Sequence, residues 1–319
     1  MLDNFTNSSK LQRGTDVQYS RQQLHTYRDG LILLVLCLLE SFLILLANTT
    51  VFVLIIKHKK LRRKNNYCLI SLAISDFLTG LVALPLVIAC QYDMNACTPM
   101  DLSQRFLSFS TILHLLVATS ERYFKIRYPL RYKYYVTGAR IGLILVAVWA
   151  MSLAFSLIQL TWINHTEEER YYDFIFSTSC VVAFAFLPFV ITVAANVHVL
   201  WIIHKEKEIR YRMVQHERSP QCRKGSKRRS NERKAVLVYL AMTVSFMVGF
   251  LPYFILTFMA DMQEDVGFGV SLFFLILRFT APLVDPLLYT FFKTDFKSAF
   301  IDMVGKPLPS TERTVQTRV

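Results

Sequence analysis

The stretch LVATSERYFKIRYPLRY, Leu116–Tyr132, is the most informative about the fold, because an apolar run ends in it abruptly at charged residues. Glu121 and Arg122 follow the apolar residues directly, and aromatic residues, a proline and further arginines come after them. Charged side chains at the end of an apolar helix are typical of a segment that leaves a membrane, where the charges reach water. The stretch therefore predicts a transmembrane helix that ends close to Arg122.

The composition of the whole chain also indicates a membrane protein. Apolar residues make up 53% of the 319 residues, whereas soluble domains contain about 45–50%. The formal net charge is +13, and an apolar chain that is also basic favours a membrane protein with basic loops. We expect no nucleic-acid partner, because that would require Lys and Arg on one folded face. The six Cys include no CxxC pair, so neither a disulfide framework nor a zinc site is predicted.

Seven segments are long and apolar enough to cross a bilayer, which takes about 20 helical residues. They are Leu31–Ile56, Cys68–Ile88, Leu102–Tyr123, Ile141–Leu160, Tyr172–Ile203, Ala235–Ala260 and Val270–Phe292. The third is the most polar, with Gln104, Arg105 and His114, so we expect it inside the bundle and not against lipid. The predicted fold is an all-α bundle of seven transmembrane helices over 31–292, after an N-terminal tail over 1–30.

The distribution of Lys and Arg predicts the orientation in the membrane. Lys57–Asn66 and His204–Lys234 are dense in basic residues and should be cytoplasmic, whereas the loops CQYDMNACTPM and DMQEDVG contain none. The N-terminus is then extracellular and the C-terminus cytoplasmic, in a multi-pass protein of the plasma membrane. Glycosylation sequons at Asn4, Asn7 and Asn164 fall on predicted extracellular segments, as this orientation requires.

At this point the chain resembles the rhodopsin-like (class A) G-protein-coupled receptors, whose third helix ends in Asp/Glu-Arg-Tyr, as Glu121-Arg122-Tyr123 does. The other spans carry matching residues, which are Asn48, Asp76, Trp149, Pro188, Pro252, and Pro286 with Tyr289. The resemblance implies a receptor and not an enzyme. Such a receptor binds an extracellular small-molecule, lipid or peptide ligand in the bundle and activates a heterotrimeric G protein. The alternatives are a seven-helix channel or transporter, or a receptor-like protein without G-protein signalling.

The resemblance also implies a switch at the cytoplasmic end of the third span. In the inactive state Arg122 would hold Glu232 at the base of the sixth span, and activation would release Arg122 to the G protein. The alternative is that these charges only reach out to water at the membrane edge. In the family, the residue after the proline of the second cytoplasmic loop inserts into the G protein, which here assigns Pro129 and Leu130.

Further residues of the expected switch lie in the sixth and seventh spans. The full set is Glu121, Arg122, Tyr123, Glu232, Phe246, Phe250, Pro252, Asp285, Pro286 and Tyr289. Phe250 takes the place of the usual Trp two residues before Pro252, and with Phe246 it would form the aromatic rotor of the sixth span. Asn196 replaces the Tyr of the fifth span that contacts the position of Tyr289 in active family members.

Asp76 is a carboxylate at the predicted middle of the membrane, which marks a functional position. By resemblance it binds an allosteric sodium ion together with Thr111, and Asp285 stands where most relatives have Asn. Two neighbouring carboxylates cannot both stay ionised without a cation or a shared proton. We therefore expect a sodium or proton site and no other cofactor; the alternative is a static hydrogen-bonded network.

The ligand is left open by the sequence. Candidate pocket residues by position are Gln104, Arg105, Ser108, Tyr253, Thr257, Leu275 and Arg278. Gln104 stands where amine receptors carry Asp, which argues against a monoamine, and Arg105 and Arg278 would suit an anion. Glu40 and Arg278 are unusual charges on neighbouring spans, so either they pair or Arg278 turns inward to meet an acidic ligand. PLRYKYYVTGAR with VWAMSLAFSL resembles adenosine receptors, and DPLLYTFF resembles melanocortin receptors of the same branch.

The cysteines and the C-terminal segment give weaker predictions. In the family a disulfide joins the third helix to the second outer loop; Cys97 would be its helical partner, and Cys90 and Cys180 are both candidates for the other. Lys293–Met303 has apolar residues at helical spacing and predicts a short amphipathic helix on the membrane surface. In the cytoplasmic tail over 304–319, the ending Thr317-Arg318-Val319 fits recognition by a PDZ domain.

Overall fold

The computed structural model describes residues 2–161, 172, 175–176, 178–179, 181–214, 220–261 and 267–305. Over 2–26, 206–214 and 220–229, and at a few other positions, only the backbone is described. Asn164, Cys180 and Thr317–Val319 lie outside the described residues, and so do the side chains of Asn4, Asn7 and Thr257, so the predictions made for them stay predictions.

The part of the chain that the structure describes is helical apart from short connections. Its α-helices are α1 Leu2–Lys57, α2 Tyr67–Leu78, α3 Leu84–Cys90, α4 Cys97–Arg127, α5 Pro129–Tyr135, α6 Gly138–Leu157, α7 Leu187–Val214, α8 Pro220–Asp261, α9 Phe268–Phe292 and α10 Thr294–Val304. A π-helical turn, Thr79–Ala83, joins α2 to α3, so these elements form one interrupted second span. The first span is α1, the third α4, the fourth α6, the fifth α7, the sixth α8 and the seventh α9.

The third span lies at the centre of the bundle. It packs against the second, fourth, fifth and sixth spans, and most of its polar residues are buried. Six other helices of the described residues are apolar enough to cross a membrane, and α4 differs from them because its polar side chains face protein. Trp149 Nε1 donates to Ser71 Oγ at 3.0 Å, and Ser71 Oγ lies 2.7 Å from His114 Nε2, so the second, third and fourth spans are joined. The predicted central position of the third span is confirmed.

The outer faces of the helices are apolar and exposed. Val35, Phe42, Leu143 and Val146 are each more than half exposed, although all four lie within long helices. Soluble proteins rarely expose contiguous apolar surface of this kind, so these faces meet lipid. The fold is that of a multi-pass membrane protein, as the sequence predicts.

The helices extend well beyond the predicted spans. α1 begins at Leu2, and the basic stretch expected to be a loop, His204–Lys234, is mostly helical because α7 continues to Val214 and α8 begins at Pro220. Lys, Arg and Glu are strong helix formers. Hydropathy therefore predicts where a helix leaves the membrane, but it does not predict where the helix ends.

Candidate functional site

Arg122 joins the third span to the sixth. The end of the bundle where this residue lies is called the Arg122 end below. Its guanidinium is buried, and Nη1 lies 3.2 Å from Glu232 Oε2. Lys125 Nζ contacts the other oxygen, Glu232 Oε1, at 2.8 Å. The guanidinium carbon of Arg122 also lies 5.5 Å from the ring centre of Tyr239, within cation–π distance. Two cations of the third span thus hold one carboxylate of the sixth.

Glu121 contacts α5, whereas Arg122, the next residue, contacts the sixth span. The Tyr132 hydroxyl donates to Glu121 Oε1 at 2.6 Å, and Asn65 Oδ1 lies 3.2 Å from the same hydroxyl oxygen. Burial, together with the hydrogen bond to Glu121, raises the pKa of the Tyr132 hydroxyl above its ordinary value, so the phenol keeps its proton and donates. The adjacent acid and base therefore have separate roles: Glu121 fixes α5 to the third span, and Arg122 contacts the sixth.

Three residues of this site were not predicted from the sequence: Lys125, Tyr132 and Tyr239. Lys125 could have been found, because it lies three residues after Arg122 and so shares its helix face. Tyr132 and Tyr239 could not, since their contacts depend on how a loop helix and the sixth span pack.

The two residues predicted to contact the G protein, Pro129 and Leu130, lie at the start of α5, at the Arg122 end. Pro129 occupies the first turn of this helix, where its missing N–H costs nothing. Leu130 follows with 86% of its surface exposed. This exposure leaves Leu130 accessible to another protein.

Tyr289 lies near the end of the seventh span, at the Arg122 end, and is fully buried. Its ring lies 5.2 Å from that of Phe296 in α10. Asn196 Nδ2 donates to Thr119 Oγ1 at 3.4 Å and so contacts the third span. Lys293, between α9 and α10, donates to Asn66; burial, together with the charge of Arg122, lowers the pKa of Lys293 well below its ordinary value. The contacts of Tyr289 with Phe296 and of Lys293 with Asn66 fix α10 against the bundle.

Asp76 and Asp285 form a buried acidic pair in the middle of the bundle. Both side chains are fully buried, they interact electrostatically, and none of their four carboxylate oxygens has a hydrogen-bond partner among the described residues. Thr111 Oγ1 lies 3.5 Å from Ser75 Oγ, one residue before Asp76. Carboxylate and hydroxyl oxygens are ligands that hard cations prefer. The pair therefore fits a sodium ion or a shared proton.

The first span meets the seventh at a proline of this region. Pro286 has no N–H for the carbonyl of Pro282, four residues earlier, and Asn48 Nδ2 donates to that carbonyl at 3.2 Å. Asn48 thus satisfies a carbonyl that the helix itself leaves unpaired.

Two aromatic rings of the sixth span lie between the acidic pair and the end of the bundle opposite to Arg122. The rings of Phe246 and Phe250 stack with centroids 5.3 Å apart. Pro252 lies within α8, just beyond them.

Arg278 turns towards the third span and not towards Glu40. Its Nη1 donates to Gln104 Oε1, and Nη2 lies 3.2 Å from Ser108 Oγ. The predicted pairing with Glu40 is wrong: no ion pair joins them, and Glu40 Oε2 has no hydrogen-bond partner among the described residues. The first and seventh spans are neighbours, but the two charged side chains do not meet, because Arg278 contacts Gln104 and Ser108 of the third span.

A cavity lies between Arg278 and the middle of the bundle; about 390 Å³ there is free of protein atoms, open solvent included. Its lining residues, called the Arg278 pocket below, are Thr79, Ala83, Gln104, Leu107, Ser108, Thr111, Phe246, Phe250, Arg278, Phe279 and Pro282. Gln104, Ser108 and Arg278 were predicted as pocket residues and line it. Tyr253 contacts Arg278 from the rim, Leu275 packs into a neighbouring core cluster, and Arg105 lies over the ring of Phe176 at 5.6 Å.

The end of the bundle opposite to Arg122 carries a disulfide between Cys90 and Cys97. It closes a turn between the second and third spans, one of the two pairings that the sequence left open. The sequence separation is 7, so the covalent loop is short.

Replacing Cys90 by Ser should lower the free energy of unfolding by about 2 kcal/mol, since closing a loop this short restricts the unfolded chain by roughly that amount. A lower Tm of the purified protein in detergent would show it. A reducing agent should lower the Tm of the unsubstituted protein and leave that of Cys90→Ser unchanged. An equal effect of the reductant on both proteins would contradict the prediction.

The comparisons with known proteins agree with this geometry. The family described as 7 transmembrane receptor (rhodopsin family) matches residues 47–289, which run from the first span to Tyr289. The octopamine receptor beta-1R of Drosophila melanogaster is 25% identical, over 84% of this chain and 61% of that receptor. The histamine H2 receptor of Cavia porcellus is 26% identical, over 76% and 71%. The adenosine receptor A2b of Gallus gallus is 24% identical, over 88% and 90%.

The matched region carries the Arg122–Glu232 ion pair, the Asp76–Asp285 pair and the Arg278 pocket. An adenosine receptor among the relatives agrees with the branch that the sequence predicts. The chain belongs to the rhodopsin family of seven-transmembrane receptors, the G-protein-coupled receptors, and not to a family of enzymes.

Proposed function

We propose that this chain is a ligand-activated receptor of the plasma membrane that promotes nucleotide exchange on a heterotrimeric G protein. The supporting observation is the ion pair between Arg122 and Glu232, which ties the third span to the sixth at one end of the bundle. An equilibrium between two arrangements of the sixth span would be biased towards the inactive one by this pair. Glu121, Arg122 and Tyr123 then connect that equilibrium to the G protein.

The Arg122 end faces the cytoplasm in this proposal. The basic segment Lys57–Asn66 follows the first span at this end, where Asn66 contacts Lys293, and basic loops are retained on the cytoplasmic side. The N-terminus is then extracellular. Leu130, which is 86% exposed, would insert into the G protein beside Pro129 once Arg122 is released. A PDZ domain would bind the Thr317–Val319 ending from the same side.

A ligand acts only if it binds the two arrangements with different affinity. Phe246 and Phe250 lie in the sixth span and line the Arg278 pocket, so a ligand there touches the element that must move. Thr111 of the same pocket lies 3.5 Å from Ser75, the residue before Asp76, and the Asp76–Asp285 pair would hold a sodium ion or one proton in the inactive arrangement. Differential contact with these groups would couple the pocket to Arg122.

Glu232→Gln tests the proposal without a ligand. Neutralising Glu232 removes the attraction to Arg122 and Lys125, so basal nucleotide exchange should rise about tenfold, the change that about 1.4 kcal/mol produces. The measurement is guanine-nucleotide exchange in membranes that contain each Gα class in turn. Asp302→Asn is the matched control, because Asp302 is an exposed acid in α10 at the same end.

Unchanged basal exchange with every Gα class, at equal surface expression, would contradict the proposal. Ion flux through proteoliposomes that contain the purified protein alone would instead identify a channel or transporter.

A further inference from the structure

We propose that the Arg278 pocket binds a small organic carboxylate with an apolar or aromatic body, and that this is the activating ligand. The inference rests on the receptor function proposed above and names its ligand class. Three observations support it: an arginine without a carboxylate, an amide donor without an acceptor, and apolar walls.

The first observation is the charge of Arg278. Its acceptors among the described residues are neutral oxygens, namely Gln104 Oε1, the Gln104 carbonyl at 3.5 Å and Ser108 Oγ at 3.2 Å. Within the described part of the chain, no carboxylate lies at ion-pair distance from it. A guanidinium inside a membrane protein is costly without a counter-charge. An anionic ligand would supply that charge.

The charged groups that act on Arg278 among the described residues are of both signs, and neither forms an ion pair with it. The charged residues that act on it are Asp101 and Arg105, of opposite sign. Arg105 lies over the Phe176 ring and does not line the cavity. A positively charged amine would be repelled by Arg278, although the similar octopamine and histamine H2 receptors are named for amines.

The second observation is the side-chain amide of Gln104. This residue is 4% exposed and lines the cavity, yet its Nε2 has no hydrogen-bond partner among the described residues. Because Arg278 donates to Oε1, the orientation of the amide is fixed, and its Nε2–H is the donor that lacks an acceptor. A buried donor without an acceptor costs free energy. A carboxylate beside Arg278 would accept from both groups.

The third observation, the apolar and aromatic walls around Arg278, defines the body of the ligand. The guanidinium of Arg278 is surrounded by aromatic rings, with its carbon 4.5 Å from the centre of Tyr253 and 5.6 Å from that of Phe279. Below it, Leu107, Phe246 and Phe250 form apolar walls. A carboxylate at Arg278 would therefore direct an apolar chain or ring towards the rotor of the sixth span.

The test compares acids with their neutral and cationic analogues. The probes are phenylacetate, phenylacetamide and phenethylamine, with octanoate, octanamide and octylamine as an aliphatic series. Each is added to membranes with the full-length receptor and the Gα class that responds to Glu232→Gln, and nucleotide exchange is measured. The Tm of the purified receptor with each probe gives a binding readout that does not depend on signalling, because a ligand that binds the folded state raises the Tm.

We expect at least one carboxylate to raise both nucleotide exchange and the Tm, while its amide and amine do neither. Arg278→Gln should weaken the response at least about 30-fold, as losing one partner of a desolvated charge pair does. Arg278→Lys keeps the charge and should retain part of the response. Arg28→Gln is the matched control, because Arg28 is an exposed arginine with a carboxylate of its own, Asp29, and its loss should leave the response unchanged.

The outcomes separate this inference from the proposed function. If Glu232→Gln raises basal exchange but no carboxylate shifts the Tm, the ligand class is wrong and the receptor function stands. If amides or amines act as well as the acids, or if a carboxylate acts equally on Arg278→Gln at equal surface expression, the inference is likewise overturned. If Glu232→Gln also has no effect, the proposed function fails, and Tm shifts by the carboxylates would then show binding alone.

Discussion

Arg122→Gln is expected to reduce nucleotide exchange to the rate of the G protein alone, both in the unsubstituted receptor and in Glu232→Gln. Arg122 has two roles in the proposed mechanism, since it restrains the sixth span through Glu232 and contacts the G protein when released. Losing the restraint alone raises activity, whereas losing the guanidinium also removes the contact. The double variant Arg122→Gln/Glu232→Gln should therefore be inactive although its ion pair is broken.

The control for folding is built into the site. In Arg122→Gln, the carboxylate of Glu232 keeps its contact with Lys125 at 2.8 Å, so no acid is left without a partner and surface expression should persist. Arg122→Lys keeps a positive charge but lacks the planar fork of donors, so it should recover only part of the activity. If the charges of this region only reached out to water at the membrane edge, Arg122→Gln/Glu232→Gln would signal like Glu232→Gln.

Gly249→Ala should destabilise the receptor by about 1–3 kcal/mol, the usual cost of an atom too many in a close-packed interior. A Cβ at Gly249 would lie 2.6 Å from the Leu277 carbonyl oxygen and 3.1 Å from the Cα of Arg278. Both neighbours are backbone atoms, so no side-chain rotation relieves the clash and the sixth and seventh spans must separate. The higher helix propensity of Ala, about 1 kcal/mol, is too small to offset this.

The separation also moves the backbone that carries Arg278, so the response to carboxylates should fall together with the Tm. Gly142→Ala is the matched control, because a Cβ at Gly142 meets nothing within 4 Å. That substitution should leave the Tm unchanged or raise it slightly. The two alanine variants are compared by Tm and by surface expression; equal behaviour of both would show that the sixth and seventh spans adjust without cost.

Local sequence determined the helices and the position of the third span. Whether a segment can cross a membrane depends on about 20 consecutive residues, and whether it faces lipid depends on their polarity, so both follow from composition. The match of Arg122 to Glu232 came from family resemblance, and the structure brings the two side chains within 3.2 Å. The helical extension of the basic loop was missed, because hydropathy does not measure helix propensity.

Tertiary structure alone decided which buried polar groups meet. Arg278 contacts Gln104, 174 residues away, and not Glu40, because the rotation of the seventh span about its own axis results from packing against its neighbours. Asn48 likewise reaches the Pro282 carbonyl over a separation of 234 residues. Such contacts combine the orientations of two helices, and no local pattern encodes the rotation of one helix relative to another. The sequence therefore supplied the charges of the Arg278 pocket, and the packing of the bundle determined which of them lack a partner.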